Sequence, residues 1–468
     1  MIDELVLGES VQKEADFFAK KYNEQFQQLK GSPLAKFGKI GIPEIYGLGK
    51  QLYRFDQLKK RMQERGNIAD LGELPKFAYD VIVTAFGGST LNLFAGTQPI
   101  SSSHGNVYVK QLVASLTRGN VTDGQTLIDP TKAPDVFAEN FAGEKSPQIS
   151  IGQTTTSVGP YTYTIVKAPI RPNTFKIVAG TAYGTDNGQG KIIGWDLQGT
   201  IDYVTGAVVI NFKTAPTSGT NMLINFSTNL EESGNYAKLS PIMSTIPINA
   251  EVFVIGQELG MLQSFEAEQM FGEMMDDEAT QDLSDCLMRE ISQTLIDKFY
   301  MEAINGGASN LTTWEAIPQN AQTEYLYRMT LPYALAKANK KLAQRLGRGG
   351  ANVYLAGYGF CSYIETLDGF MPSDISTSGP HVYGTYNGKI VIRCPQMTDN
   401  DCLMVYTGTG MFDKPGVWAP YMPLATTQAV PVNNNILKSQ RICVTYGGVE
   451  IVIGRAITLF RITETPLP

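Results

Sequence analysis

Residues 148–228 consist of short segments in which apolar and polar side chains alternate, separated by turns rich in Gly, Pro and Asn. The clearest of them is GTIDYVTGAVVINF at 199–212, where two alternating runs flank the dipeptide Thr205-Gly206. Side chains on a strand point to opposite faces with a period of two, and glycine accepts the positive φ of a tight turn. The segment therefore predicts a β-hairpin, and the whole region predicts a small β-sandwich or β-barrel with its own core.

A long acidic helix is predicted over residues 264–304, where apolar side chains recur at four-residue steps. Ser264 is the predicted N-cap, and Asn305-Gly306-Gly307 is a stop signal. Nine Asp and Glu fall between residues 266 and 290. Negative charge is favourable near a helix N-terminus, whereas a metal site would require further ligands, and no histidine lies close in sequence.

The rest of the chain mixes helices and strands. Residues 1–65 predict polar amphipathic helices with too little apolar surface to form a core alone. Residues 325–425 predict a helix ending at Gly347, then a buried strand, a turn and another helix. Further strands close the chain, so the fold class is α+β.

Composition excludes several classes of protein. A net charge of −7 gives no overall basic footprint for nucleic acid and does not fit a polybasic membrane-surface protein. The five cysteines form no CxxC pair, which indicates reduced thiols. The charged first 20 residues do not fit a signal peptide, and no apolar run approaches the roughly 20 residues that span a bilayer. We therefore expect a protein made and folded in cytoplasm.

Motifs for catalysis are few. A Ser–His–Asp triad would need His104, in the loop SSSHGN, or His381, and neither has a recognisable setting. Asp186 in TDNGQG could begin a calcium loop, but the repeated carboxylates are missing, so an Asx-type turn is predicted. A glycoside hydrolase with two carboxylates stays open as an alternative, because such pairs are spatial. We assign no catalytic, cofactor-binding or metal-ligating residue and expect no cofactor.

Four stretches together resemble the major capsid proteins of tailed bacteriophages, in particular the T-even-like branch. They are FAGTQPISSSHGNVYV at 94–109, the segment from Ile246 to Asp297, ANVYLAGYGF with YGTYNGKIVIRCPQM at 383–397, and GVWAPYMPLATT at 416–427. The first departs from that family's pattern by Thr97 and Ile100. The β region is similar to a recurrent phage-structural insertion, P-x-R-P-x-T … D-x-G-x-G … G-x-I-D-Y-x-T-G-A-V, which begins here at Pro169.

The resemblance implies the tailed-phage and herpesvirus type of major capsid fold with an all-β insertion domain. The implied domains are an N-terminal arm (1–93), extended-loop strands (94–147 and 229–258), a β-sandwich insertion domain (148–228), a peripheral domain with the spine helix 264–304 (259–324 and 425–468), and an apical domain (325–424).

The implied function is structural: copies assemble as hexamers and pentamers into an icosahedral head around packaged double-stranded DNA. The implied partners are neighbouring capsid subunits, scaffold, portal and decoration or minor capsid proteins, and DNA on the inner face without sequence specificity, with no membrane. We expect the protein in the virion capsid, assembled in host cytoplasm, and not to be an enzyme. The alternatives are a pentameric vertex protein of the same fold and a tail or baseplate adhesin; an encapsulin is disfavoured by chain length and by the β region.

Three finer expectations follow for assembly. The family's maturation protease cleaves after short Leu/Ile-x-Glu motifs, which Leu7-Gly8-Glu9 and Leu71-Gly72-Glu73 fit. The apolar stripe of the arm (Phe17, Phe18, Tyr22 and Phe26) is expected to be buried by other subunits, so that a chain lacking residues 1–65 stays soluble. The acidic helix start and the basic side chains of residues 337–348 either pair between subunits or form two solvated faces.

Overall fold

The computed structural model describes residues 9–64, 82–128, 141–318 and 327–464, apart from short internal gaps. These gaps are residues 31, 33–34, 37–39, 84–85, 88, 118–120, 147, 234–235, 272–274, 348, 374–378, 409, 411–412, 428–429 and 433–434. The chain divides into two compact units. The larger unit comprises residues 1–109, 130–133 and 243–468, and the smaller unit comprises residues 110–129 and 134–242.

The described α-helices are α1 (Glu9–Lys21), α2 (Asn23–Leu29), α3 (Ile42–Glu64), α4 (Leu91–Phe94), α5 (Leu230–Ser233), α6 (Met261–Phe271), α7 (Met275–Asn305), α8 (Leu331–Leu346) and α9 (Tyr358–Glu365). The strands of the first half of the chain are β1 (Ala95–Thr97), β2 (His104–Ala114), β3 (Thr126–Ile128), β4 (Ile149–Gln153), β5 (Tyr161–Thr164), β6 (Lys176–Ala179), β7 (Ala182–Asp186), β8 (Lys191–Trp195), β9 (Leu197–Ile201), β10 (Ala207–Phe212) and β11 (Asn221–Asn225). Those that follow are β12 (Leu239–Asn249), β13 (Glu251–Gly260), β14 (Leu311–Glu315), β15 (Val353–Ala356), β16 (Phe370–Pro372), β17 (His381–Tyr386), β18 (Lys389–Arg393), β19 (Asp401–Val405), β20 (Gly416–Thr426), β21 (Val430–Val432), β22 (Asn435–Ile451) and β23 (Ile457–Thr463).

The smaller unit is built on one eight-stranded antiparallel sheet in the order β4-β11-β6-β7-β8-β9-β10-β5. The hairpin predicted from residues 199–212 is confirmed: β9 pairs with β10, and Gly206 in the connecting turn has a φ of +73°. All eight strands pair in one continuous sheet, whereas the sequence predicts a β-sandwich or a β-barrel. Their inward side chains form a single apolar cluster that includes Phe175, Leu197 and Ile210, so the sheet encloses its own core.

The larger unit contains two sheets. One has the order β1-β20-β22-β13, with β21 also paired to β22. The other has the mixed order β14-β23-β19-β15-β18-β17-β16, in which β14–β23 and β15–β18 are parallel. Helix α7 packs on the first of these sheets, because its predicted apolar ladder is buried among side chains from β13, β20 and β22. Strands β2, β3 and β12 make a third sheet, and β2 and β12 carry the chain between the units.

The predicted start of the long helix is wrong. Ser264 lies inside α6, which begins at Met261, and is therefore not the N-cap. The segment predicted as one helix over 264–304 contains α6 and α7, and residues 272–274 between them lie outside the described residues. Its predicted end is confirmed, since α7 ends at Asn305 and Gly307 follows with a φ of +63°.

The prediction that other subunits bury the apolar stripe of the arm is wrong for Phe18 and Tyr22, because α1 packs on α3. Phe18 is only 4% exposed and lies against Tyr46 and Tyr53, while Tyr22 is buried in the core of the larger unit. Of the predicted stripe, Phe17 is exposed. The partner of α1 is therefore α3, a second helix within the same predicted arm. The Leu71-Gly72-Glu73 motif and Leu7 and Gly8 lie outside the described residues.

Helix α8 ends as the sequence predicts, with Gly347 in the left-handed conformation (φ +65°). The predicted strand, turn and helix that follow are β15 and α9. Two of the basic side chains proposed for pairing between subunits have intramolecular partners instead. Lys341 donates to the carbonyl of Leu311, and Arg345 donates to backbone carbonyls of Arg455 and Ile457.

Candidate assembly surface

Histidines offer no catalytic arrangement. His104 is the first residue of β2, exposed, with its Nδ1 2.9 Å from Asn249 Oδ1. His381 lies on β17 in a different sheet, where its Nδ1 is 2.8 Å from the carbonyl oxygen of Gly379. Within the described part of the chain, no three His, Cys, Asp or Glu side chains converge in a way that could hold a metal ion.

Asp186 does not form the predicted Asx-type turn. Its buried carboxylate accepts hydrogen bonds from the backbone N–H groups of Asn173 (2.6 Å) and Phe175 (3.0 Å) and from the hydroxyl of Tyr203 (2.8 Å). The turn is made by Asn187, whose Oδ1 accepts from the backbone N–H groups of Gln189 and Lys191. Because protein donors satisfy its carboxylate, Asp186 holds the smaller unit together and is not an open calcium ligand.

The residues that meet at Asp186 are those of the recurrent insertion pattern. Asn173 adopts a φ of +63°, and Gly188 packs so closely that a Cβ there would lie 2.6 Å from the Asn173 side chain. Burial, followed by the hydrogen bond to Asp186, raises the pKa of Tyr203. We name this arrangement of Asn173, Phe175, Asp186 and Tyr203 the Asp186 clasp; it explains the spaced motif as a structural requirement of the fold.

Among the described residues of the larger unit, a run of exposed apolar side chains follows β13 into α6. On β13, Val252 and Val254 are 62% and 59% exposed. On α6, Phe265 is 60% exposed, and Met261, Leu262 and Met270 are exposed beside it in sequence. We call these six residues the β13–α6 surface.

The alternation of β13 explains why this surface exists. Phe253 and Leu259 point inward, and the Phe253 ring lies edge-on to Trp418 with centroids 6.1 Å apart. Ten consecutive residues of β13 pair with β22, which fixes the register. With a period of two, the same register that buries Phe253 turns Val252 and Val254 outward.

Among the strands that the structure describes, β13 lies at the end of its sheet, with β22 as its neighbour. A strand at a sheet edge presents unpaired backbone groups that another chain can pair with. Exposed apolar residues at such an edge are typical of protein–protein contacts, because a monomeric protein rarely leaves a large apolar patch in water. The β13–α6 surface is therefore the site in the larger unit that is best suited to a macromolecular partner.

Helix α3 is fixed against the same sheet by charged groups. The Lys414 ammonium lies 3.1 Å from a Glu44 carboxylate oxygen and donates to the carbonyl of Asn92 at 2.9 Å. Both side chains of the ion pair are about nine-tenths buried. Arg54 donates to the carbonyl of Pro420 at 2.8 Å, and its burial lowers its pKa. These bonds give β20 and the strands beside it a rigid support.

The sequence itself carries a signal for the β13–α6 surface. EVFVIGQELG has apolar residues at four consecutive positions, Val252, Phe253, Val254 and Ile255, so both faces of the strand are apolar there. A strand with one solvated face would carry polar residues on that face. Apolar residues on both faces indicate that the second face has a partner as well.

No helix among the described residues combines the length and the apolar character needed to cross a bilayer. A family model described as "Major capsid protein Gp23" matches residues 83–456. No curated protein matches the chain.

Several solved structures are similar to the chain at low identity. The capsid of jumbo bacteriophage PhiKZ is 9% identical, with 77% of this chain and 89% of that chain covered and a TM-score of 0.39. A chain from Mycobacterium phage Bobi is 11% identical, covering 52% and 80%, with a TM-score of 0.32. The capsid of Myoviridae phage XM1 is 9% identical, covering 48% and 78%, with a TM-score of 0.30.

Proposed function

The chain belongs to the Gp23 major capsid protein family, and from this membership we propose how its copies build a phage head. The family match over residues 83–456 carries the conclusion, because it spans most of the chain and includes β13, α6 and α7. The protein is accordingly a structural component of the virion capsid that self-assembles into the icosahedral head. Membership in a capsid family assigns it a mechanical role and not a catalytic one.

We propose that the β13–α6 surface is a contact between neighbouring copies. A capsid protein must bury surface against several neighbours, and burying an exposed Phe such as Phe265 is worth roughly 1.5–3 kcal/mol. The same contact repeats at every copy of the shell, so modest contacts together stabilise a large assembly.

The finer organisation is also proposed. The arm, extended-loop, insertion, peripheral and apical domains keep the bounds given above, and the copies form hexamers and pentamers. Scaffold, portal and decoration or minor capsid proteins are proposed partners. Packaged double-stranded DNA is proposed to lie against the inner face without sequence specificity; the net charge of −7 gives the chain no overall basic footprint that would bind it tightly.

Electron microscopy of the expressed protein tests the function. Closed shells containing both hexamers and pentamers are expected, whereas pentamers alone would favour the vertex protein of the same fold. A trimeric fibre would contradict the capsid function.

A matched pair of variants tests the contact. Phe265→Ser should leave the urea midpoint within experimental error, because the side chain is exposed, and should reduce the yield of shells. Met301→Ser is the control, since Met301 is an equally exposed apolar residue of α7 outside the β13–α6 surface. If Phe265→Ser assembles as well as Met301→Ser does, the β13–α6 surface is not a contact between copies.

A further inference from the structure

The outer face of the eight-stranded sheet in the smaller unit carries a row of apolar side chains. The strand register places Val178 opposite Tyr183 and Tyr183 opposite Trp195, so these three lie side by side across β6, β7 and β8. In the next row, Ile193 lies opposite Thr185. We call Val178, Tyr183, Ile193 and Trp195 the aromatic row.

The aromatic row is strongly exposed. Trp195 is 71% and Tyr183 57% exposed, and Ile193 and Val178 are exposed as well. With about 200 Å² for each aromatic side chain, the four leave roughly 400 Å² of apolar surface in water. A stable interface of ordinary size needs about 800 Å² on each partner, so the aromatic row supplies the apolar centre and requires a polar rim.

The rim is basic. Lys176 and Lys191 point to the same outer face: Lys176 lies opposite Thr185, in the row of Ile193, and Lys191 lies two residues before Ile193 on β8. Within residues 149–228, all of which the structure describes, no Asp or Glu projects from the outer face of a strand: Asp186 points inward, and Asp196 and Asp202 lie in turns. Residues 149–228 carry five Lys and Arg against three Asp and Glu, whereas the rest of the chain carries thirty-three against forty-two.

We propose that the aromatic row docks on the β13–α6 surface of a neighbouring copy in the shell. Two copies of the aromatic row would not suit each other, because neither offers a carboxylate to Lys176 or Lys191. The β13–α6 surface does: Glu258 shares the outward face of β13 with Val252 and Val254, and Glu266 is exposed on α6. The β13–α6 surface thus combines apolar and acidic side chains, and the aromatic row with its rim combines apolar and basic ones. This charge complementarity selects the partner surface and the orientation in which the two surfaces dock.

The contact explains two otherwise unconnected features. The smaller unit has a closed core of its own, so it gains nothing in folding from an exposed Trp195. Strand β13 has a second apolar face, on which Val252 and Val254 are exposed. The proposal rests on the assembly function described above, because it requires a second copy.

Acrylamide quenching of tryptophan fluorescence tests the burial directly. The chain has three tryptophans, and Trp314 and Trp418 are buried, so quenching of the unassembled protein reports on Trp195. Assembly into shells is expected to remove most of that quenching. The variant Trp195→Phe assigns the signal, since it should abolish the accessible component in the unassembled protein. Undiminished quenching in closed shells would mean that the aromatic row faces solvent and would overturn the proposal in favour of an external partner.

A charge exchange tests the partner. Lys191→Glu should lower shell yield at least tenfold at low salt, and Glu258→Lys should do the same. The double variant Lys191→Glu/Glu258→Lys should restore assembly, because the opposite charges face each other again. Lys20→Glu, a charge reversal at an exposed lysine of α1 that belongs to neither surface, should assemble normally.

The outcomes separate this inference from the assembly function. Loss in both single variants with recovery in the double variant supports docking on the β13–α6 surface. Normal assembly of the single variants, or a double variant as defective as either single one, overturns it while the wild-type shells leave the capsid function intact. A wild-type protein that forms neither shells nor capsomers contradicts the assembly function itself.

Discussion

Removing the hydroxyl of Tyr203 should loosen the smaller unit without changing its shape. The hydroxyl donates to Asp186 Oδ2 at 2.8 Å and accepts from the backbone N–H of Gly190 at 3.2 Å. In Tyr203→Phe the carboxylate keeps its two backbone donors, from Asn173 and Phe175, but loses the third. A hydrogen bond to a charged group contributes about 1.5–3 kcal/mol, and since two donors remain, we expect a loss of about 2 kcal/mol.

Local hydrogen exchange is the appropriate assay, because it reports the opening of this unit separately from the rest of the chain. A loss of about 2 kcal/mol corresponds to roughly 30-fold faster exchange of protected amides, since every 1.4 kcal/mol is a factor of ten. The peptides to follow by mass spectrometry are those covering residues 173–201.

The matched control is Tyr183→Phe, on the same sheet. Its hydroxyl has no hydrogen-bond partner among the residues that the structure describes, and the side chain is exposed. This variant should leave the exchange rates unchanged. If both variants exchange equally fast, or if Tyr203→Phe exchanges like the wild type, the Asp186 clasp does not stabilise the unit.

Three further outcomes are expected. The wild type should have a higher urea midpoint than Tyr203→Phe up to about pH 10, and the difference should shrink at higher pH. The reason is that folding raises the pKa of Tyr203, so ionisation of its hydroxyl opposes folding. A difference in midpoint that grows with pH would contradict this. Lys414→Met should lower the free energy of unfolding by about 3–5 kcal/mol, because it leaves the Glu44 carboxylate buried without its cation. Adding Glu44→Leu to the same chain should recover much of that loss. Additive losses in a double-mutant cycle measured by urea unfolding would show that the two groups do not interact. Deleting residues 1–64 should give aggregated or unstable protein, not soluble capsomers, because Phe18 and Tyr22 fill part of the core of the larger unit; a soluble truncated chain with an unchanged urea midpoint would show that this packing is dispensable.

Local structure was largely predictable from the sequence. The hairpin around Thr205-Gly206 and the end of α8 at Gly347 depend on turn chemistry and on periodicity within a few residues of the chain. The buried face of α7 could be predicted for the same reason, since a four-residue repeat of apolar side chains specifies one buried face whatever lies against it. The family resemblance was likewise carried by short local motifs, and the match over residues 83–456 agrees with it.

The tertiary structure alone decided what those faces meet. Asp186 looked like a turn residue, because nothing in TDNGQG shows that Tyr203 and Asn173 will donate to its carboxylate. The sequence predicts that other subunits bury Phe18, whereas in the structure α1 packs on α3 and Phe18 lies against Tyr46. Val252 and Trp195 are apolar strand residues, and only the structure shows that both are exposed. Periodicity fixes which side chains share a face, whereas burial and hydrogen-bond satisfaction depend on residues distant in the chain, so only the folded molecule shows which apolar faces are left for a neighbouring copy.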